Sequence, residues 1–205
     1  MMLKLCLLIA FLGHLICWYC DCLITYTPSG RFSAKLLNDN EQLSELLKDM
    51  PLKRPMRSIM LGVFALVMSF CGFLALSEWM RQFSNVYAVI MLIGAVLFTT
   101  CVIPHHVICG LVEWLYIKLG RTDNARKAVL DFFRKTSATM IVCYTGLLIF
   151  SVTFFIAVLT GTTTLPKWAC IFNTLPLFLI ISPFKVTGSG NIVNAAMFLA
   201  LAVLI

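Results

Sequence analysis

Charge is what this chain has least of. Charged residues make up 12% of its 205 positions, against about a quarter in a soluble domain, while apolar residues reach 60%. A water-facing fold cannot absorb that proportion of apolar side chains, so a soluble enzyme or soluble binding domain is excluded. The signatures of several common chemistries are missing as well: there is no G-x-S-x-G elbow, no phosphate-binding loop and no H-E-x-x-H pair. Without internal repeats, the inverted symmetry of many transporters does not show. The net charge of +7 comes with no base-reading module, and the basic residues cluster beside apolar runs, so nucleic acid is not an expected partner.

What is present is a set of long uncharged stretches. Ile59 to Ser77, Val86 to Ile103, Thr136 to Pro166 and Trp168 to Phe184 each approach or exceed the ~17–25 residues that cross the ~30 Å hydrocarbon layer. Hydrocarbon offers no hydrogen bonds, so backbone groups must be satisfied within each segment, which makes the segments helices. The sequence therefore predicts an all-α, polytopic transmembrane helix bundle of about six spans forming one domain over residues 1–205. The spans are expected at about 3–26, 59–79, 86–119, 137–159, 168–181 and 191–205. The first begins like an export signal, with Lys4 ahead of an apolar stretch, but lacks an A-x-A site and reads as a retained span. The third would run ~50 Å, too long for one straight crossing, with a kink expected near Pro104. The sixth is short, ~22 Å by helical rise.

Two polar intervals carry helical stripes. Leu43, Leu46, Leu47 and Met50 recur on one face, as do Ala125, Ala128, Val129, Phe132 and Phe133, the latter backed by Arg126, Lys127, Arg134 and Lys135. Both read as short interfacial amphipathic helices near lipid headgroups. The nine cysteines lie almost wholly in apolar runs and read as small packing residues. Cys17 and Cys20 form a C-x-x-C but lack the second pair of a structural zinc site, and no metal or cofactor is expected. Of the 16 Lys and Arg residues, thirteen fall in the intervals after spans one, three and five, and only Lys4, Arg81 and Lys167 on the other side. The positive-inside rule then places both termini away from the cytoplasm.

Ionisable residues within spans are costly and are candidate sites by default. His14 and Asp21 lie seven apart, as do His106 and Glu113, so each pair shares a helix face. Counting helical rise brings Asp21 and His106 to a similar level near the cytoplasmic boundary, where the sixth span starts with Ser189, Asn191 and Asn194. The resulting candidate is a polar pocket of Asp21, His105, His106, Asn191 and Glu113, with His14, Asn173, Ser189 and Asn194 as secondary members. The competing reading is that Asp21 and a histidine join helices by hydrogen bonds. Adjacent His105 and His106 point ~100° apart on a helix and would not chelate one ion together. Imidazole beside carboxylate also permits proton exchange.

Four passages carry a resemblance: Asp21-Cys22-Leu23 to Tyr26-Thr27-Pro28-Ser29-Gly30; Gly94-Ala95 through His105; Leu165-Pro166-Lys167-Trp168 through Phe172-Asn173; and Gly188-Ser189-Gly190-Asn191. In order and content the chain resembles an uncharacterised family of bacterial six-span membrane proteins, a domain of unknown function. The resemblance implies a bacterial cytoplasmic membrane, with membrane lipids as neighbours, and supplies no activity. Three function classes remain: a membrane protein binding a small amphiphile or lipid, a lipid-acting enzyme using Asp/His acid–base chemistry, and a proton-coupled carrier.

Overall fold

The computed structural model describes residues 1–205, the side chain of Ala34 excepted. Four helical stretches are long and apolar enough to cross a membrane: α1 (Met2–Thr25), α3 (Lys53–Arg81), α4 (Asn85–Lys118) and the unit formed by α5 (Asp123–Lys135) and α6 (Ala138–Leu159). Leu5, Leu12, Phe64, Ile141 and Leu148 are exposed on the outside of the bundle, where a soluble fold would carry charge. α4 runs through Pro104, where the sequence places a kink, as one helix of 34 residues.

The fifth predicted span is not one helix. Lys167–Phe172 is a 3-10 segment, and α7 (Thr174–Ile181) starts afresh at Asn173. The Asn173 side chain accounts for the break: its oxygen accepts from Leu175 N at 3.0 Å as an N-cap, while its amide donates to the Ser151 carbonyl of α6 at 3.0 Å. Pro176 sits in the first turn of α7, where its missing N–H costs nothing. A short 3-10 turn (Ser182–Phe184) leads into α8 (Ser189–Leu204), which packs along α1 in the opposite sense. Buried Thr174 of α7 donates to Asn194 of α8 at 2.6 Å.

The main core is aromatic. The Phe73 ring meets Phe98, Phe150 and Phe198 edge-on, with centroids 5.2, 4.8 and 5.0 Å away. Small residues let the helices close around this knot: a Cβ on Gly94 would stand 2.7 Å from Phe150 N and 2.8 Å from the Gly146 carbonyl, so α4 and α6 cross almost backbone to backbone.

A second apolar cluster lies at the basic end of the bundle. α2 (Asn40–Leu47) is capped by Asp39, whose carboxylate accepts from Glu41 N and Gln42 N at 3.0 and 3.1 Å, and α5 by Thr122. Their stripes do more than face a headgroup layer. Leu43, Leu47, Met50, Ala125 and Val129 bury one another around Tyr116 in the last turns of α4. The Tyr116 hydroxyl reaches Asn40 Oδ1 at 2.9 Å, and Arg121, at a left-handed φ of 58°, donates to the Lys48 carbonyl at 3.2 Å. Between α1 and α2 a two-residue hairpin, β1 (Tyr26–Thr27) and β2 (Gly30–Arg31), turns the chain. In the first turn of α5, on the surface and ahead of the apolar run of α6, Lys127 and then Arg126 hydrogen-bond the Asp123 carboxylate and hold it below the usual carboxylate range.

Candidate functional site

Three helices bring polar side chains to one level of the bundle. α1 presents His14, Cys17 and Asp21 on a shared face, with His14 and Cys17 buried. Asn191 comes from the first turn of α8, which follows Gly188 at φ 64°. A Cβ at Gly188 would stand 2.8 Å from both Asp21 Oδ2 and Trp18 Cδ1, so the absence of a side chain there lets the start of α8 close on α1. The Asn191 amide then donates to Asp21 Oδ2 at 2.8 Å, and its carbonyl oxygen accepts from His14 Nδ1 at 2.9 Å. The outer nitrogen of His14, Nε2, is buried without a hydrogen-bond partner among the described residues; its ring stacks on Phe198 at 5.6 Å.

α4 supplies His106, whose ring occupies the space beside Gly62 of α3; a side chain at Gly62 would overlap it. Its Nε2 lies 3.1 Å from the Ser58 carbonyl, which can only accept, so Nε2 carries a proton. In the neutral ring Nδ1 is then a bare lone pair, and it faces Asp21 Oδ1 at 3.9 Å. Ser58 in turn donates its hydroxyl to the Cys20 carbonyl at 2.9 Å, tying α3 to α1 at this level.

Beyond this row, towards the basic end, lies a cavity of about 240 Å³. Phe32, Leu43, Leu47, Val129 and Phe133 form much of its wall, and Glu113 of α4 is the one acid in it. Glu113 is 6% exposed, and its Oε2 is buried with no hydrogen-bond partner among the described residues. An unpaired carboxyl oxygen in an apolar wall is costly, and a ligand donor entering the cavity would relieve that cost.

The sequence grouped five residues, and the structure distributes them over three places. Asp21, His106 and Asn191 meet, with His14 joined to them through Asn191. His105 turns towards α6: its Nδ1 is 3.3 Å from Thr139 Oγ1, and Cys109 Sγ is 3.6 Å from its Nε2. That divergence follows from the ~100° step between neighbouring helical residues. Glu113, seven residues past His106, belongs to the cavity wall. Asn173 and Asn194 are joint residues between α6, α7 and α8, and Ser189 opens α8.

Cys17 does more than pack: its sulfur, an Asp21 carboxylate oxygen and a His106 nitrogen lie within 4.8 Å of one another. The seven-residue spacing of His14 and Asp21 already marks the face on which Cys17 sits. Thr187 had no signal at all. It closes the polar level from the loop before α8, its carbonyl accepting from Trp18 Nε1 at 3.1 Å and its hydroxyl oxygen from Arg31 at 3.0 Å. Arg31 also donates to the Lys185 carbonyl at 2.7 Å, so the hairpin, the loop and the end of α1 form one clasp.

Residues 2–204 match a family of unknown function (DUF6796). No curated protein and no solved structure matches the chain.

Proposed function

We propose that this chain, which belongs to that family of unknown function, is a six-span protein of the bacterial cytoplasmic membrane that holds a small amphiphile in the Glu113 cavity, at the cytoplasmic face. Two lines support six crossings. The broken segment from Lys167 to Ile181 carries Ala169 near its start, in the core with Leu7 and Met80, and leads through the turn after it to Thr187 beside Trp18. α8 then returns, with Asn191 beside Asp21 and Phe198 packed in the core with Ala10. Helices of this length, 16 residues and less, fall short of ~30 Å alone, but short and interrupted spans are tolerated where neighbours satisfy the backbone, as Asn173 does. The basic intervals at the Glu113 end support a cytoplasmic assignment for it and external termini. Reporter fusions after Arg57, Lys135 and Lys185 should give one sidedness and fusions after Arg81 and Pro166 the other; any fusion out of step removes the six-span reading.

The observation that carries the ligand is the unpaired Glu113 oxygen in an apolar wall. The cavity suits a short alkyl chain or a single ring bearing one polar group, an amine above all, because an amine can take up the proton of a buried carboxyl and leave a hydrogen-bonded, neutral ion pair. With detergent-purified protein, calorimetry should detect hexylamine binding, weaker hexanol binding and no hexanoate binding. Glu113→Gln should erase the preference for the amine. Equal binding of hexanoate, or no binding of the three, removes the ligand reading. The acid–base enzyme reading gains less support, since Asp21 and His106 stand 3.9 Å apart and do not form the cavity wall. A carrier needs a polar path, and the four-phenylalanine knot fills the bundle on the far side of the polar level.

A further inference from the structure

We propose that Cys17, Asp21 and His106 form a binding site for one divalent transition-metal ion of the zinc class, independent of the Glu113 cavity. The argument begins with lone pairs. The proton on His106 Nε2 is committed to the Ser58 carbonyl, so Nδ1 presents a lone pair to the Asp21 carboxylate at 3.9 Å. Two acceptors facing each other across that distance repel, unless a positive species stands between them. The Cys17 sulfur borders the same gap, with all three donor atoms within 4.8 Å of one another. Zinc bond lengths of ~2.0–2.3 Å put donors on a tetrahedral ion roughly 3.3–3.8 Å apart, so side-chain adjustments of about 1 Å or less close the group. Imidazole nitrogen, thiolate and carboxylate together suit zinc better than calcium or magnesium, which take oxygen sets.

Charge balance makes the location reasonable. On binding, the Cys17 thiol releases its proton to bulk water. Thiolate, carboxylate and neutral imidazole then neutralise the dication in full, which removes the usual penalty for an ion within a helix bundle. The outer contacts are those expected around a metal: His106 is oriented by Nε2–H to a backbone carbonyl, and Asp21 Oδ2 is held by the Asn191 amide, itself fixed by His14. Among the described residues this is the one group of three His, Cys, Asp or Glu side chains with such geometry. Three protein donors leave the fourth position of a tetrahedral ion for water or a small ligand.

The test uses purified full-length protein in detergent, stripped with chelator and titrated with cobalt(II) and with zinc(II). The expected result is one ion per chain, a thiolate-to-cobalt charge-transfer band in the near ultraviolet, and displacement of cobalt by zinc. The band should survive Cys20→Ala and Cys22→Ala and vanish in Cys17→Ala and His106→Gln that elute as folded protein. Asn191→Ala, which leaves all three donors in place, should weaken zinc ~10–100-fold. That last measurement decides the matter should the ligand variants not fold. Folded wild-type protein that retains no ion, a band unchanged in Cys17→Ala, or unaltered zinc affinity in Asn191→Ala would overturn the proposal; a proton shared by Asp21 and His106 would then explain the facing lone pairs. Loss of hexylamine binding with zinc binding intact would strike only the cavity reading, and the reverse only this one.

Discussion

The two ends of the bundle hold together by different physics. Around Phe73 the contacts are ring on ring and backbone on backbone, and what matters is shape. At the basic end they are directional: Asn191 to Asp21, His106 to Ser58, Trp18 to Thr187, Tyr116 to Asn40. Among apolar helices association depends on close packing, since burial from lipid gains nothing hydrophobic. Where the solvent turns polar, hydrogen bonds and amphipathic stripes take over.

Substitutions at the two ends should therefore fail differently. The largest effect is expected at the knot: Gly94→Leu sets a side chain against Phe150 N and the Gly146 carbonyl, neither of which can move aside, and folded protein should be lost from detergent extracts by size exclusion. Recovery of a normal monodisperse peak would show that the crossing is looser than described. Gly62→Ala is milder, because the obstructing group is the His106 ring and not backbone. Folding should persist with a cost of about 1–3 kcal/mol in a denaturant titration. An unchanged midpoint would mean that the ring does not occupy that space. Trp18→Phe keeps an aromatic ring, though a smaller one, and removes the donor to Thr187, so about 1 kcal/mol is expected, with faster proteolysis in the 182–188 loop as the more sensitive reading.

The smallest effect is at Asp123. Its carboxyl titrates below the ordinary value because Lys127 and Arg126 bind the charged form, so the support it gives α5 is present above the usual carboxylate range and fades as pH falls through the lowered value. An NMR titration that found its midpoint at or above the unperturbed position would sever that link.

The sequence carried levels along helices better than rotations around them. Helical rise brought Asp21 and His106 to the same depth because rise is fixed by geometry, and the two side chains face each other. The same reasoning could not separate His105 from His106, since which neighbour faces inward depends on what packs alongside, here Gly62 for one and Thr139 for the other. The long apolar runs announced α3, α4 and α6. Asn173 and Thr174 ahead of Pro176 mark a locally opened helix in the sequence itself; what does not show there is the partner of Asn173, the Ser151 carbonyl 22 positions away. The stripes of α2 and α5 were readable as amphipathic, but their mutual burial around Tyr116 depends on how far α4 outruns its neighbours.

That overrun has a mechanical side. One unbroken helix carries His106 and, less than three turns on, Glu113 and Tyr116, so no loop lies between the polar level and the two docked surface helices to absorb displacement. Just before His106, Pro104 deletes the backbone bond to the Thr100 carbonyl and leaves the rod compliant there. A displacement of α2 or α5 would therefore reach His106 through continuous helix, and the nearest turn weakened by a missing backbone hydrogen bond is the one at Pro104.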